Sequence, residues 1–416
     1  IAGSIAILKM LRKNKKYYYK PNHFISVSGM IYRMKQNAAG LASICILSTM
    51  VIVMLSTTIS LYAGIEDVLR TRYPRNIIID ADNITDEKVQ KLDQAVEEQL
   101  SRFGAEKKDI VRYRSMSFAA IQDGAVFSVR SQDSYAYDNI SIVVFITADE
   151  YNKIANKDIS LSEGEALLCS YRGNIPGDSV RFGNFELSIK ERLSSDDTKD
   201  ITKGMLSAMA ANSYFFIVKD VDAIKQVYKG FHGENTDVPE LSYYYAFDVS
   251  GSRDVQINLV GEIRKAMKEI GAEGYVEGPE AEREGFYSLY GGLFYLGLFL
   301  GILFIMATVL IIYYKQVSEG YDDKERFGIM QKVGMSREEV WKAIRSQVLS
   351  VFFLPLLAAV IHIAFAFKVI TKLLYIFNLT NIPLFALCTV ITILVFAVFY
   401  TIVYAMTAKT YYKIVS

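Results

Sequence analysis

Hydrophobic positions along this 416-residue chain are concentrated in four long blocks, and most charged positions lie between them. The blocks are residues 40–63, 286–313, 348–367 and 383–407, and each holds at least 20 residues without a Lys, Arg, Asp or Glu. A helix of about 20 apolar residues crosses a hydrocarbon core of roughly 30 Å. Four uncharged runs of this length predict four membrane-spanning helices rather than buried helices of a soluble protein.

Basic residues set the expected orientation of these helices. Eight Lys and Arg residues precede the first block, and the first acidic residue of the chain is Glu66. Because Lys and Arg are enriched in cytoplasmic loops, the side that contains these eight residues is predicted to be cytoplasmic. Lys368 and Lys372 fall on the opposite side, against this rule, although their long side chains can reach the membrane interface.

These patterns divide the chain into eight predicted segments. They are a basic cytoplasmic segment at 1–39, a span at 40–65, an extracellular domain at 66–285, a span at 286–313, a cytoplasmic hairpin at 314–345, a span at 346–367, an outer loop at 368–382, and a last span with its cytoplasmic tail at 383–416. The expected fold class is a polytopic α-helical membrane protein with a large mixed α/β extracellular domain.

The first 39 residues suggest that the chain continues an earlier membrane segment. The stretch "IAGSIAILKM" runs directly into the basic stretch "LRKNKKYYYK", which is typical of the last turns of a span followed by its cytoplasmic flank. We therefore expect this chain to be the C-terminal part of a longer membrane protein. Farther on, Phe24, Val27, Ile31 and Met34 form one apolar stripe, which fits either an amphipathic interfacial helix or a plain continuation of the span.

The predicted extracellular segment is acidic and long enough to fold as a domain. It carries 39 Asp and Glu against 27 Lys and Arg, a net charge of −12. Helical periodicity is clear after Thr85, which is a candidate N-cap, and ends at Gly104; a similar pattern ends at Gly271. Both patterns run into Gly-Ala-Glu, through either an old duplication or coincidence. Candidate strands are "NIIID", "SIVVFIT", "SYFFIV" and "LSYYYAFDV".

Several kinds of chemistry are not indicated. Cys45 and Cys388 lie in predicted spans, so Cys169 has no disulfide partner in the extracellular segment. No Gly-x-x-x-x-Gly-Lys-Ser/Thr phosphate-binding loop occurs, and the three histidines fall in different compartments. His362 lies in a span, where it is either a functional ionisable group or a neutral side chain bonded to a neighbouring helix. We expect no catalysis, no cofactor, no metal site and no nucleic-acid partner.

The stretch "DDKERFGIMQKVGMSREEV" predicts a cytoplasmic helical hairpin. Ser336 and Glu339 form a capping box at the start of the second helix, while Gly334 allows the left-handed residue that ends a first short helix. Two interpretations fit. The hairpin is either a lever that receives a push from a cytoplasmic partner or a connector that packs on the base of the membrane helices.

At these residues the sequence resembles a known family. One span, a large outer domain and three further spans, with "RFGIMQKVGMSREEV" before "QVLSVFFLPLLAAVIHIAFA", are similar to the FtsX-like permeases. More narrowly, these stretches and "FISVSGMIYRMKQNAAGLASICILSTMVI" resemble the bacitracin-resistance (Bce-type) permeases of Gram-positive bacteria. The resemblance covers the membrane parts and gives no motif in the outer domain.

The resemblance implies a permease of the bacterial cell membrane that works with a separate ABC ATPase and gives resistance to peptides that attack cell-wall lipids. Expected partners are the ATPase, membrane lipids, the peptide antibiotic or its lipid-bound complex, and a membrane histidine kinase. The residues expected to transmit ATPase movement are Glu325, Arg326, Phe327, Met330, Gly334, Met335, Ser336 and Arg337; no substrate-binding residue is predicted. The alternative is a non-transporting FtsX-like regulator of a cell-wall hydrolase or sensor kinase, and a third candidate is a lipoprotein-extruding or macrolide-efflux permease.

Overall fold

The chain folds into helices that follow the apolar blocks and a sheet-rich region between the first two blocks. The computed structural model describes residues 2–19, 38–129, 140–194, 197–198, 201, 212–332 and 336–415. The helices are α1 Ala2–Lys13, α2 Lys15–Tyr18, α3 Ala38–Ala63, α4 Ile65–Arg72, α5 Asp86–Phe103, α6 Ala148–Ala155, α7 Val221–His232, α8 Arg253–Glu269, α9 Pro279–Lys332, α10 Arg337–Leu374 and α11 Ile382–Val415. The strands are β1 Ile77–Asp82, β2 Lys107–Asp123, β3 Val126–Ser128, β4 Ile140–Thr147, β5 Glu165–Arg172, β6 Ser179–Phe182, β7 Phe185–Leu193, β8 Asn212–Val218, β9 Ser242–Val249 and β10 Glu273–Glu277.

Two compact units account for these elements. The membrane unit contains residues 1–64, 288–374 and 381–416, and the outer unit contains residues 65–287 with 375–380. Four helical stretches are long and apolar enough to cross a membrane: Ala38–Ala63, Pro279–Glu325, Phe352–Phe377 and Ile382–Val415. The prediction of four membrane-length helices is confirmed for the part of the chain that the structure describes.

Small residues let α9 approach α3 closely within the membrane unit. A Cβ atom added at Gly297 would lie 2.6 Å from Thr58 Oγ1, and one added at Gly301 would lie 3.3 Å from a methyl carbon of Leu55. Glycines four residues apart in a helix form the small-residue pattern that brings membrane helices together. The α3–α9 contact therefore depends on the absence of side chains at these two positions.

The structure corrects the predicted hairpin. Its first arm is the end of α9, a single helix of 54 residues from Pro279 to Lys332, and no separate short helix precedes Lys332. The reason is that no Pro occurs within α9 after its first residue, and its glycines are tolerated in a helix whose other contacts hold it. Helix α10 likewise continues to Leu374, into the segment predicted as an outer loop. Residues 20–37, with the predicted interfacial stripe, lie outside the described residues.

One half of the outer unit is a four-stranded antiparallel sheet covered by two helices. Its strand order is β10-β1-β9-β2, with α5 linking β1 to β2 and α8 linking β9 to β10. This is the arrangement of a split β-α-β, ferredoxin-like fold. Alternation along the strands directs Ile77, Ile79 and Tyr245 toward the helices, where they join Leu92 and Leu259 in one core.

The other half of the outer unit closes on itself. Strands β2, β3, β6, β7, β5, β8 and β4 pair in succession, and β4 pairs back with β2. This closed circuit leaves no free edge between its first and last strands. Its interior is aromatic, with Phe127, Phe145, Phe182 and Phe216 fully buried, and α7 contributes Phe231 to the same core. The 17-residue strand β2 belongs to both halves.

The predicted helix boundaries in the outer unit are confirmed. Helix α5 begins after Thr85, whose backbone is extended but whose side chain makes no capping hydrogen bond, and ends at Gly104, which has a φ of +60°. Helix α8 begins after Ser252, and the left-handed residue that follows it is Gly271, with a φ of +67°. Glycine suits these positions because other residues are strained at positive φ. The mixed α/β character of the domain and all four predicted strands are also confirmed.

Candidate functional site at the polar ends of the membrane helices

The residues predicted to transmit ATPase movement lie around the junction between α9 and α10. Glu325, Arg326, Phe327 and Met330 are in the last two turns of α9, and the Glu325 side chain is exposed. Ser336 precedes α10, and Arg337 is its first residue, as the capping pattern predicts. Gly334 and Met335 lie outside the described residues, so their part in the predicted site stays a prediction.

A buried polar contact joins α9 to α11 close to these residues. The hydroxyl of Tyr411 donates to Oδ2 of Asp323 at 2.6 Å, with Asp323 only 3% and Tyr411 0% exposed. Hydrogen bonds to charged groups contribute about 1.5–3 kcal/mol, and a buried carboxylate is costly to leave without its donors. This contact therefore fixes the side chain of Asp323, two residues before Glu325, against α11.

Gly320 allows the two helices to come close enough for that contact. A Cβ atom added at Gly320 would lie 3.4 Å from Cβ and Cγ2 of Ile414 and from Cδ2 of Tyr411. The glycine is three residues before Asp323, so both face the same side of α9. Close approach at Gly320 and the hydrogen bond at Asp323 thus form one interface between α9 and α11.

A second polar group follows the charge-free part of α9. Nζ of Lys315 lies 4.0 Å from Oε1 of Glu319, and the two side chains are 15% and 12% exposed. They border a cavity of about 20 Å³ that is also lined by Gln316 and Tyr400. This volume is sufficient for one water molecule. Charged residues this deeply placed against membrane helices are expensive and often functional.

Tyr400 stabilises α10 near its internal proline. Its hydroxyl donates to the backbone oxygen of Phe352 at 2.8 Å. Pro355 has no N–H to donate to the carbonyl of Val351, four residues earlier, so the helix is weakened at this turn. The Tyr400 hydroxyl donates to the carbonyl of Phe352, the residue after Val351. This bond holds α11 against α10 at the weakened turn.

Metal and catalytic sites are not evident in the described part of the chain. No group of three or more His, Cys, Asp or Glu residues there could hold a metal ion. Nδ1 of His362 is 3.9 Å from Sγ of Cys45, which links α10 to α3. His232 packs against Tyr228 and Phe231, and burial lowers the pKa of its imidazole.

Among the described residues of the outer unit, Asp80 is a buried carboxylate, and several surface carboxylates form hydrogen bonds or ion pairs. Burial raises the pKa of Asp80 to about 6, although Tyr275 donates a hydrogen bond to it. Asp197 accepts hydrogen bonds from Ser194 and Lys157, which lower its pKa to about 2. Some surface carboxylates of this unit, such as Asp197, therefore already have hydrogen-bond partners within the unit.

Sequence reasoning missed the contacts that hold the helices together. The Gly297–Gly301 spacing is a recognisable signal, because it matches the small-residue pattern of membrane helix pairs. Asp323 and Tyr411 are 88 positions apart, and no local pattern pairs them. Lys315 and Glu319 have the helical spacing of an ion pair, yet the sequence alone does not show that they are nearly buried.

Comparison with known proteins adds the family. Residues 298–412 match the FtsX-like permease C-terminal family. The uncharacterised ABC transporter permease YvcS of Bacillus subtilis is 23% identical over 99% of this chain and 61% of its own length. The bacitracin export permease proteins BceB of Bacillus subtilis and Halalkalibacterium halodurans are 22% and 23% identical over 88% of this chain and 54% of theirs.

The chain thus spans about half to three fifths of the length of the curated relatives it matches. Its similarity to Bce-type permeases covers nearly all of its sequence, beyond the membrane parts that carry the resemblance in the motifs. The resemblance is confirmed, and the residues that match the FtsX-like permease C-terminal family, 298–412, hold most of α9, all of α10 and most of α11.

Proposed function

We propose that this chain is part of an ABC transporter permease subunit of a bacterial cell membrane that gives resistance to, and senses, peptides that target the cell wall. The observation that carries the proposal is the FtsX-like permease match at residues 298–412 together with similarity to two bacitracin export permeases. Four membrane-length helices and a folded outer unit agree with it. The outer unit is proposed to be extracellular, from the basic residues that precede α3.

Energy for the cycle is proposed to come from a separate ATPase subunit, because the sequence holds no phosphate-binding loop. The ATPase would push on the α9–α10 junction, through Glu325 to Arg337. A push there would reach α11 through the Tyr411–Asp323 bond and the close contact at Gly320. Rigid transmission requires this kind of packed, hydrogen-bonded contact rather than a loose loop.

The outer unit is proposed to make the first contact with the peptide. Many peptides that attack the cell envelope are cationic, and a segment with a net charge of −12 raises their local concentration and association rate. The substrate would then be released from its lipid-bound complex as the outer unit changes conformation. Membrane lipids and a membrane histidine kinase are further proposed partners.

The test uses the complete protein in its own cell. A strain that lacks the gene is complemented with the wild-type gene or with a Glu325→Arg, Arg326→Glu double variant, and growth is measured in bacitracin and in other cell-wall peptides. We expect the deletion and the double variant to lower resistance while membrane levels of the variant stay normal. Unchanged resistance to every peptide, with altered cell separation or kinase signalling, would favour the non-transporting regulator instead.

A further inference from the structure

Strand β2 has a free edge over its first half. Residues Lys107–Ser115 pair with β9 on one side, whereas pairing with β4 begins only at Met116. No described strand pairs with the other edge of Lys107–Ser115. An unpaired strand edge presents a row of amide donors and carbonyl acceptors that can accept another strand.

The direction of the backbone groups on this edge follows from the observed pairing. The amide of Ser250 donates to the Glu106 oxygen at 2.9 Å, and the ladder shifts by one residue between Lys108 and Val111. In an antiparallel pair, the backbone N–H and C=O groups of alternate residues face the partner strand. Those of Val111 and Tyr113 therefore face β9, and those of Arg112 and Arg114 face the opposite edge.

A side chain confirms this direction. The amide of Arg114 lies 3.4 Å from Oε1 of Glu150, a residue of α6 on the far side of β2 from β9. The carboxylate stands where the carbonyl oxygen of an added strand would stand. The next outward amide, that of Arg112, faces the cavity described next.

A cavity of about 880 Å³ runs along this edge between α5 and α6. Six consecutive residues of β2, 109–114, line it. Asp109 lies at the ladder shift and has a φ of +49°, so the regular strand edge begins at Ile110. At about 3.3 Å per residue, residues 110–114 span roughly 16 Å, which suits a peptide of about five extended residues. The volume lies within the range of natural ligand sites, about 300–1,000 Å³.

The charge of the cavity differs from that of the segment around it. Five basic and four acidic side chains line it, a net of +1, whereas residues 66–285 carry a net of −12. Arg112 is well exposed, 3.8 Å from Asp93, and Lys153 makes no ion pair with any described residue. Lys153 is available to a carboxylate of a ligand, and the exposed Arg112 can exchange Asp93 for one, which favours an acidic rather than a cationic peptide.

We infer that the groove beside β2 binds an acidic peptide in extended form, adding it as a strand to the edge at Arg112, next to the Arg114 amide that Glu150 already occupies. The backbone of the peptide pairs with the amide and carbonyl of Arg112, and its carboxylates pair with Arg112 and Lys153. This mode of recognition takes affinity from main-chain hydrogen bonds and specificity from alternate side chains. It does not depend on the proposed transport function.

The test uses the complete protein in lipid nanodiscs and a fluorescein-labelled hexapeptide of alternating Thr and Glu, with binding followed by fluorescence anisotropy. A matched hexapeptide with an N-methyl group on every amide has no backbone donor to offer to the edge, and a third has Lys in place of Glu. We expect saturable binding of the first and at least tenfold weaker binding of the other two. No binding of the first peptide, or equal binding of the N-methylated one, would overturn the inference.

Variants of the protein locate the site. Arg112→Pro removes the outward amide while leaving the β9 ladder intact, and Arg112→Ala removes only the guanidinium. We expect the dissociation constant to rise at least tenfold for Arg112→Pro and about threefold for Arg112→Ala and Lys153→Ala. Circular dichroism shows whether Arg112→Pro keeps its fold; if it does not, the two alanine variants and the N-methylated peptide decide. Unchanged binding in both alanine variants would place the peptide elsewhere.

Discussion

The hydroxyl of Tyr275 donates a hydrogen bond of 3.0 Å to Oδ2 of Asp80, across the paired strands β10 and β1. Tyr244 of β9 lies opposite Asp80 on its other side, and Tyr113 of β2 stacks on Tyr244 with ring centroids 4.9 Å apart. Asp80 is only 6% exposed. A single acidic side chain thus lies in a row of tyrosines on the sheet face away from α5 and α8.

Asp80→Asn should stabilise the outer unit above pH 6. Burial raises the pKa of Asp80 to about 6 from 3.8, so the folded state binds more protons than the unfolded state between these values. Stability is therefore lost as pH rises from about 4 to 6, by up to about 3 kcal/mol. We expect the variant to gain about 1–3 kcal/mol at pH 7.5 and to lose the decline between pH 4 and 6, measured by denaturant unfolding followed by tyrosine fluorescence.

Asp82→Asn is the matched control for this prediction. Asp82 is in the same strand but is exposed. Its change should alter stability by less than that of Asp80. An Asp80→Asn protein that is less stable than wild type at pH 7.5 would show that the ionised carboxylate, rather than its burial, is what the structure needs.

Tyr411→Phe should weaken the contact between α9 and α11. The change removes a donor from the buried carboxylate of Asp323 at almost constant volume. We expect a loss of about 1–3 kcal/mol in the free energy of unfolding, measured as a lower thermal midpoint in detergent. Tyr314→Phe, at a residue that is 68% exposed, should have little effect. Equal thermal midpoints for the two variants would contradict the prediction.

Gly334→Val should uncouple the proposed ATPase. A β-branched residue disfavours the left-handed conformation expected between Lys332 and Arg337 by roughly 1 kcal/mol or more. Peptide-stimulated ATPase activity of the assembled complex should fall while membrane insertion stays normal. Gly292→Val is the control, because Gly292 lies in α9 outside the junction and an added Cβ there meets nothing within 4 Å. Full peptide stimulation of ATPase activity in the Gly334→Val complex would contradict the proposal that the α9–α10 junction is the ATPase contact.

The outer unit should fold without help from a disulfide. Cys169 is free and buried, with Sγ 3.0 Å from Oγ1 of Thr198. Burial raises the pKa of this thiol, which makes the reactive thiolate scarce. A fragment of residues 70–282 should unfold in one cooperative transition that reductant leaves unchanged. A transition that disappears on reduction would show that Cys169 forms a disulfide.

Association of a cationic peptide with that fragment should weaken as salt rises, if charge steers the encounter. The Debye length shrinks from about 10 Å at 0.1 M to 3 Å at 1 M. Replacing Asp196, Asp197 and Asp200 with Asn should weaken binding further. The change at Asp197 also weakens its contacts with Ser194 and Lys157. The control is Asn at Asp222 and Asp237, which changes charge elsewhere. Peptide binding that changes neither with salt nor with the replacements at Asp196, Asp197 and Asp200 would limit the acidic surface to a role in solubility.

The four membrane-length helices were determined by the sequence alone. Length and absence of charge are local properties, and they are sufficient in a solvent that cannot satisfy an open backbone. Helices α5 and α8 were likewise determined locally, since their apolar periodicity and terminal glycines act within a few residues. The resemblance to the family followed from local motifs, residues 322–340 and the neighbouring membrane stretches.

Only the tertiary structure decided how distant segments meet. Strand β2 serves two sheets, the barrel closes through the β2–β4 pairing, and Asp80 meets Tyr275 across 195 positions. Asp323 and Tyr411 meet in the same way across 88 positions. Strand pairing and side-chain contacts over such separations depend on register and on close packing. Neither leaves a periodic trace in the sequence, so the free edge of β2 and the α9–α11 interface became visible only in the folded chain.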